Sequence, residues 1–182
     1  GWNSMEVFDP NRNSILYVTA EADGSVGTQG ITELFFESAE PSFDEQPLED
    51  LLDLFPEGNY RLEGTTTEGD TLKGKAKLTH DLPDAPVLVS PAEDAEDVDP
   101  EETVIEWELV ADPPGSMIVG YEVVVERETA SLRVFSVDLG PEATSVTVPP
   151  EFMEPDTAYK FEVLAIEKSG NQTISEREFE TE

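Results

Sequence analysis

The amino-acid sequence predicts a mainly β protein, with a small β-rich unit at residues 1–82 and a β-sandwich at residues 83–182. Residues 157–166 alternate apolar and polar side chains as a half-buried strand does. Two prolines between residues 83 and 86 indicate an extended, semi-rigid link between the units. Residues 48–55 have apolar side chains at i, i+3, i+4 and i+7, which predicts one short helix that must dock on a sheet.

The charge of the chain excludes some classes of partner. With 42 acidic and 10 basic residues, the formal net charge is −32. Binding of nucleic acid needs clusters of Lys and Arg, and an anionic membrane surface would repel such a chain. We therefore expect neither partner. The acidity fits a salt-rich source, an extracellular protein bathed in Ca²⁺ and Na⁺, or an acidic but otherwise ordinary domain.

The composition also limits the chemistry and the location that we expect. The chain has no cysteine, which excludes disulfides, thiol catalysis and zinc–thiolate sites. No apolar run approaches the roughly 18–20 residues of a membrane-spanning helix. The first residues, GWNSME, lack the basic and apolar regions of a signal peptide. We expect any signal or anchor to lie outside this sequence.

The first unit is predicted to consist of short strands, the helix and a hairpin. Strong β-branched and aromatic content marks the early strands, and glycines punctuate a flexible loop at residues 24–30. The sequence PEGNYRLEG, at residues 56–64, resembles the closing strands of bacterial Ig-like sandwiches. The predicted strands are residues 5–8, 14–20, 31–38, 59–66 and 71–80, the last two forming a hairpin around residues 68–70.

The second unit contains a series of apolar, β-branched stretches with turn signals between them. Trp107, Tyr121 and Tyr159 follow one another on three of these stretches. In this order and spacing the unit is similar to the fibronectin type III family. The predicted strands are residues 86–91, 104–109, 119–125, 134–139, 145–148, 157–166 and 174–180.

The resemblance implies structural roles for the three aromatic residues. Trp107 and Tyr121 would fill the core. Tyr159 would be a corner tyrosine whose hydroxyl bonds to backbone near residues 152–155. The antibody pattern, with a Trp on the third strand beside a disulfide, does not match.

No catalytic arrangement stands out, and we therefore expect that the protein is not an enzyme. His80 is the one histidine, and the sequence suggests no Ser, Asp or Cys partner for it, so we interpret it as a surface or interface residue. Carboxylates are so abundant that some pair would always match a glycosidase spacing. Nothing in the sequence distinguishes one such pair from the others.

Two acidic segments are candidates for calcium binding. Residues 9–13 begin with the D-x-N-x-N pattern of a calcium loop, but Ser14 replaces the required Gly and Ala20 the required Glu, which favours an Asx-rich turn. The acidic run at residues 93–102 is predicted to form the loop between the first two sandwich strands, in most cases a solvated loop. A weak calcium site there would use Asp94, Asp97 and Asp99. We expect no other cofactor.

The loop before the last strand is the candidate binding loop. In the family this loop often carries recognition, and here its candidate residues are Ser169, Gly170, Asn171 and Gln172. It contains no Arg-Gly-Asp, so an integrin ligand has no support. Asn171 opens a glycosylation sequon, which has meaning only in a eukaryotic secretory route. The alternative interpretation is that Gly-Asn serves only as a hairpin turn.

These features predict a non-catalytic, monomeric binding or spacer module, secreted or in the cell envelope, of bacterial origin, with a protein or glycan partner. The alternative is an accessory region of a larger secreted polysaccharide-degrading enzyme. An exposed aromatic platform would favour the alternative. The candidate side chains for such a platform are Trp2, Phe35, Phe36 and Phe43.

Overall fold

The computed structural model describes residues 1–21, 23–35, 45–128 and 134–182. The chain divides into two compact units, Gly1–His80 and Asp81–Glu182. Strands dominate both units, which confirms the mainly β prediction. In the described part of the chain, no helix is long and apolar enough to cross a membrane.

The first unit contains a four-stranded antiparallel sheet with strand order β2-β1-β3-β4. Apolar side chains of its strands alternate toward one face, and Trp2 and Tyr60 are the large side chains that this unit buries among the described residues. Its elements are β1 Trp2–Phe8, β2 Ser14–Thr19, α1 Ser25–Gln29, α2 Leu48–Leu54, β3 Gly58–Thr66 and β4 Thr71–Leu78.

Three predictions for the first unit are wrong. Helix α2 buries none of its side chains, so its apolar stripe does not dock on a sheet of the described residues as predicted. The glycine-containing segment forms the short helix α1 instead of a flexible loop, with the N–H of Gly30 bonded to the carbonyl of Val26 at 2.8 Å. The strand predicted at residues 31–38 is reduced to a single bridge between Ile31 and Trp2, and residues 36–38 lie outside the described part. Because β2 and β3 already occupy both edges of β1, only the end at Trp2 accepts a further partner.

The second unit is a sandwich of two sheets, with strand orders β10-β7-β5 and β6-β12-β11-β8-β9. Buried side chains from both sheets form one hydrophobic core between them. All neighbouring strands are antiparallel except β6 and β12, which are parallel. The strands are β5 Leu88–Ser90, β6 Ala95–Val98, β7 Val104–Trp107, β8 Ile118–Arg127, β9 Val134–Leu139, β10 Ser145–Thr147, β11 Ala158–Glu167 and β12 Gln172–Thr181.

The acidic run at residues 93–102 was predicted to be a loop, and this is wrong for its centre. Strand β6 lies beside the C-terminal strand β12, with the N–H of Glu182 bonded to the carbonyl of Val98 at 3.1 Å. Ala95 and Val98 pack against the core, while the acidic side chains between them face solvent. Burial of these two small apolar residues, together with pairing to the edge of β12, therefore favours a strand despite the surrounding acidic residues.

Candidate functional site

The candidate binding loop connects β11 to β12 and is a tight, hydrogen-bonded hairpin turn. The backbone N–H of Glu167 bonds to the carbonyl of Asn171 at 3.0 Å, and the N–H of Gly170 bonds to the carbonyl of Glu167 at 2.9 Å. Gly170 has a φ of 99°, a backbone region that other residues rarely adopt. The turn brings Ser169, Gly170, Asn171 and Gln172 together at one end of the sandwich.

A buried carboxylate, that of Glu167, organises this turn. Its side chain is fully buried and accepts hydrogen bonds from the hydroxyls of Ser116 and Ser169. It also accepts the backbone N–H groups of Ser169, at 2.9 Å, and Asn171, at 3.1 Å. Burial raises the pKa of the Glu167 carboxyl, but these hydrogen bonds outweigh burial and lower the pKa from 4.5 to about 2.

Glu167 also connects two loops that are far apart in the sequence. Ser116 belongs to the loop between β7 and β8, and the N–H of Lys168 bonds to the carbonyl of Met117 in the same loop at 3.0 Å. The sequence interpretation assigned no role to Glu167. The sequence did contain a signal for its burial. Side chains of a strand alternate between its two faces, and Glu167 continues the buried row of odd-numbered residues that begins at Tyr159.

A shallow groove lies beside the connected loops. Its lining comes from the β7–β8 loop and from the loop between β9 and β10, through Leu109, Asp112, Met117 and Pro141. The Met117 side chain is 49% exposed, and the Asp112 carboxylate accepts the N–H of Ile118 at 2.8 Å, which fixes the β7–β8 loop. We call residues 108–117, 140–144 and 168–171 together the loop surface.

The three residues of the predicted calcium site lie on and beside β6. Asp94 and Asp97 adopt left-handed backbone conformations, with φ of 52° and 60°, and the Asp99 carboxylate accepts the N–H of Glu101 at 2.8 Å. Among the described residues, no three or more His, Cys, Asp or Glu side chains are grouped as ligands for a metal ion. Weak calcium binding by these carboxylates stays a prediction, which calorimetric titration would test.

The D-x-N-x-N segment is an Asx-rich turn between β1 and β2. The carboxylate of Asp9 accepts both the backbone N–H and the side-chain amide of Asn13, each at 2.7 Å. Burial raises the pKa of Asp9, but the hydrogen bonds from Asn13 and from neighbouring N–H groups lower it more, so the net shift is downward. These bonds occupy both oxygens of the side chain in closing the turn.

His80, at the end of the first unit, has backbone partners. Its ring Nε2 donates to the carbonyl of Phe55 at 2.8 Å, and its own backbone N–H donates to the carboxylate of Glu57 at 2.7 Å. These bonds attach the end of the unit to the segment that follows α2. They give His80 a local structural role.

The described side chains of the candidate aromatic platform differ in their exposure to solvent. Trp2 is buried in the first unit, whereas the side chain of Phe35 is 81% exposed. Phe36 and Phe43 lie outside the described residues. One described aromatic side chain of the four therefore faces solvent.

The aromatic residues named from the family resemblance lie in the core of the sandwich. The rings of Trp107 and Tyr121 are 5.4 Å apart between centroids and tilted by 54°. The hydroxyl of Tyr121 accepts the N–H of Val110 at 2.9 Å, and that of Tyr159 accepts the N–H of Glu154 at 2.8 Å. The tyrosine hydroxyls thus attach two connecting segments to the core.

Replacing Tyr159 by Phe tests the second of these bonds. We expect a loss of about 0.5–1.5 kcal/mol in the free energy of unfolding, because the partly buried N–H of Glu154 loses this acceptor while the ring stays. Urea denaturation followed by circular dichroism measures the loss. The matched control is Tyr17→Phe, since the Tyr17 side chain is 61% exposed on β2. Equal stability of the two variants would contradict the role of the hydroxyl.

Comparison with known proteins relates the sandwich to one family. The sequence profile of the fibronectin type III domain matches residues 90–181. A solved structure described as "Myokine structure" is 22% identical, with 54% of this chain and 97% of that chain covered and a TM-score of 0.39. The third fibronectin III domain of the human KIAA0343 protein is 17% identical, with 59% and 90% covered and a TM-score of 0.41.

A computationally redesigned β-sandwich protein is also similar, at 18% identity, with 57% of this chain and 98% of that chain covered and a TM-score of 0.36. No curated protein matches the chain. The profile match includes β6 to β12 and hence the loop surface.

Proposed function

The chain belongs to the fibronectin type III domain family through residues 90–181, and from this membership we propose a non-catalytic binding and spacing module. Domains of this family are in general structural and binding modules. We place the module outside the cell or in the cell envelope of its source, as part of a larger protein. The acidic surface supports that location, because the Ca²⁺ and Na⁺ of such surroundings relieve its self-repulsion.

The loop surface is the site that we assign to recognition. The observation that carries this assignment is the buried Glu167 carboxylate, which holds the β11–β12 turn and the β7–β8 loop together through Ser116 and Ser169. A loop that is held in one conformation before binding loses less conformational entropy on binding. Exposed Met117 beside it adds apolar area of the kind found at binding sites.

A matched pair of variants tests the assignment. Met117→Ser removes apolar area from the loop surface. Val134→Ser removes similar area from β9, where Val134 pairs with Glu126, about 25 Å along β8 from the loops. Val134 is 44% exposed and so resembles Met117 in accessibility. We expect peptides selected from a display library on the wild-type protein to lose about tenfold in affinity for Met117→Ser and to keep their affinity for Val134→Ser.

Affinities measured by biolayer interferometry separate the outcomes. Loss of binding in Val134→Ser but not in Met117→Ser would place recognition elsewhere and contradict the loop surface. If selection gave no specific peptide and a glycan array gave no bound glycan, the binding function would be wrong and the spacing function would remain.

The alternative, an accessory region of a polysaccharide-degrading enzyme, has one observation in its favour. Phe35 is exposed over most of its side chain, and exposed aromatic rings are the usual platforms for sugar rings. Binding of a polysaccharide on the array that Phe35→Ser removes, and Met117→Ser does not, would favour this alternative.

A further inference from the structure

Strand β4 carries an uninterrupted row of exposed cations on a protein that is otherwise acidic. Lys73, Lys75 and Lys77 alternate along the strand on one face of the sheet, and all three are exposed. Arg61, also exposed, lies directly opposite Lys75 on β3. These four residues, which we call the cationic row, are four of the ten Lys and Arg of the whole chain.

The cationic row has no acidic partner among the described residues. Glu63 lies opposite Lys73 in the register, but the two side chains form no ion pair there. Some cations of the second unit do form ion pairs. Arg127 pairs with Glu154 at 2.6 Å and Lys160 with Glu162 at 2.6 Å. The charge of the row is thus available to a ligand.

The row also lies along an open edge of the sheet. In the strand order β2-β1-β3-β4, strand β4 is at the edge, and no strand of the described residues pairs with its outer side. Lysines on an edge strand often serve only to prevent aggregation. Arg61 does not fit that purpose, because β3 is an inner strand that needs no such protection.

We propose that this edge binds an extended acidic peptide segment of a partner protein, which adds to β4 as a fifth strand. Side chains on one face of a strand repeat every two residues, about 6.7 Å. A segment with Asp or Glu at every second position therefore places one carboxylate opposite each lysine. Backbone hydrogen bonds to the open edge supply affinity, and the charge pairs set the register and the choice of partner.

The net charge of −32 does not prevent this binding, and it disfavours a second copy of the chain as the occupant. At physiological salt, charges more than about 8 Å apart are largely screened, so the nearby cations dominate for a short peptide. A second copy would bring its own net charge of −32 to the contact. The peptide site lies in the first unit and does not depend on the recognition role of the loop surface.

Fluorescence anisotropy with synthetic peptides tests the proposal on the full chain. The probe is a labelled eight-residue peptide of alternating Val and Glu. We expect saturable binding that weakens with added salt and falls about tenfold in the triple variant Lys73→Gln, Lys75→Gln, Lys77→Gln. For a change of one charge, Lys75→Gln is compared with Lys160→Gln, which removes a lysine of strand β11 in the second unit. Only Lys75→Gln is expected to weaken binding.

Control peptides separate strand addition from attraction between charges alone. Replacing the Val residues of the probe by Pro keeps the charge but removes the backbone donors, and we expect binding to be lost. Equal binding of the Pro peptide, or of heparin, would overturn strand addition in favour of a nonspecific polyanion site. Concentration-dependent self-association that the triple variant abolishes would make a second copy the occupant and overturn the peptide proposal. Equal affinity of the wild type and a folded triple variant would also overturn it.

Discussion

Replacing Glu167 by Gln is expected to lower the free energy of unfolding of the second unit by about 2–4 kcal/mol at neutral pH. The Glu167 carboxylate is itself inaccessible to solvent and accepts four hydrogen bonds from Ser116, Ser169 and Asn171. A Gln side chain offers one acceptor oxygen and places an amide donor among groups that are themselves donors. Hydrogen bonds to a charged, buried acceptor are among the stronger ones in proteins.

The pH dependence of this loss follows from the lowered pKa. The folded protein keeps Glu167 ionised down to about pH 2, whereas the unfolded chain protonates it near 4.5. Its contribution to stability is therefore fully present above about pH 4.5 and disappears as the pH falls toward 2. Because Gln does not titrate, the stability difference between the wild type and Glu167→Gln should shrink over this interval.

Urea denaturation at a series of pH values measures both effects. The control is Glu178→Gln, which changes an exposed glutamate on β12. A stability difference that stays constant from pH 6 to pH 2.5 would show that the carboxylate is not the organising group. The variants Ser116→Ala and Ser169→Ala should each reproduce part of the loss, because each removes one hydroxyl donor.

Replacing Trp107 by Ala is expected to destabilise the second unit by about 3–5 kcal/mol. The indole is almost completely buried against Tyr121 at the centre of the sandwich, so its removal leaves a large cavity. Calorimetry should show a fall of more than about 10 °C in the melting temperature of this unit. Trp2, the other tryptophan of the chain, lies in the first unit, and its fluorescence reports whether that unit stays folded.

Two further variants sharpen this result. The buried Trp107 Nε1–H has no hydrogen-bond partner among the described residues, so Trp107→Phe removes an unsatisfied donor together with part of the ring and should cost less than Trp107→Ala. Leu109→Ala, at an exposed position, should change the stability by less than about 0.5 kcal/mol. If Trp107→Ala were as stable as Leu109→Ala, Trp107 would not be a central core residue.

Most strands of the second unit could be predicted because the signal for them is local. Alternation along residues 157–166 indicates both the strand β11 and its buried face, from Tyr159 to Ala165, without knowledge of any neighbour. Trp107 and Tyr121 could be placed in the core for the same reason, as large aromatic residues on apolar strands. Local periodicity reports which face of an element is apolar, and burial follows that face.

Other features depend on contacts between residues that are distant in the sequence. Strand β6 forms because β12 lies alongside it, and residues 32–35 stay irregular because β1 already has partners on both edges. Neither outcome changes the periodicity of the segment concerned. Competition for sheet edges is settled only when the strands assemble.

Each of the two proposed sites also combines a feature that the sequence shows with one that only the fold shows. The alternating lysines of β4 can be read directly from the sequence, but only the strand order places them on an open edge with Arg61 beside them. From the sequence, Glu167 is predicted to begin a loop, and it becomes the buried group beneath the loop surface only when folding brings Ser116 to it. Residue type and spacing thus established the fold class, the core and the charge of each face. Tertiary structure decided which polar groups meet, because hydrogen bonds and edge pairing join residues that the chain itself keeps far apart.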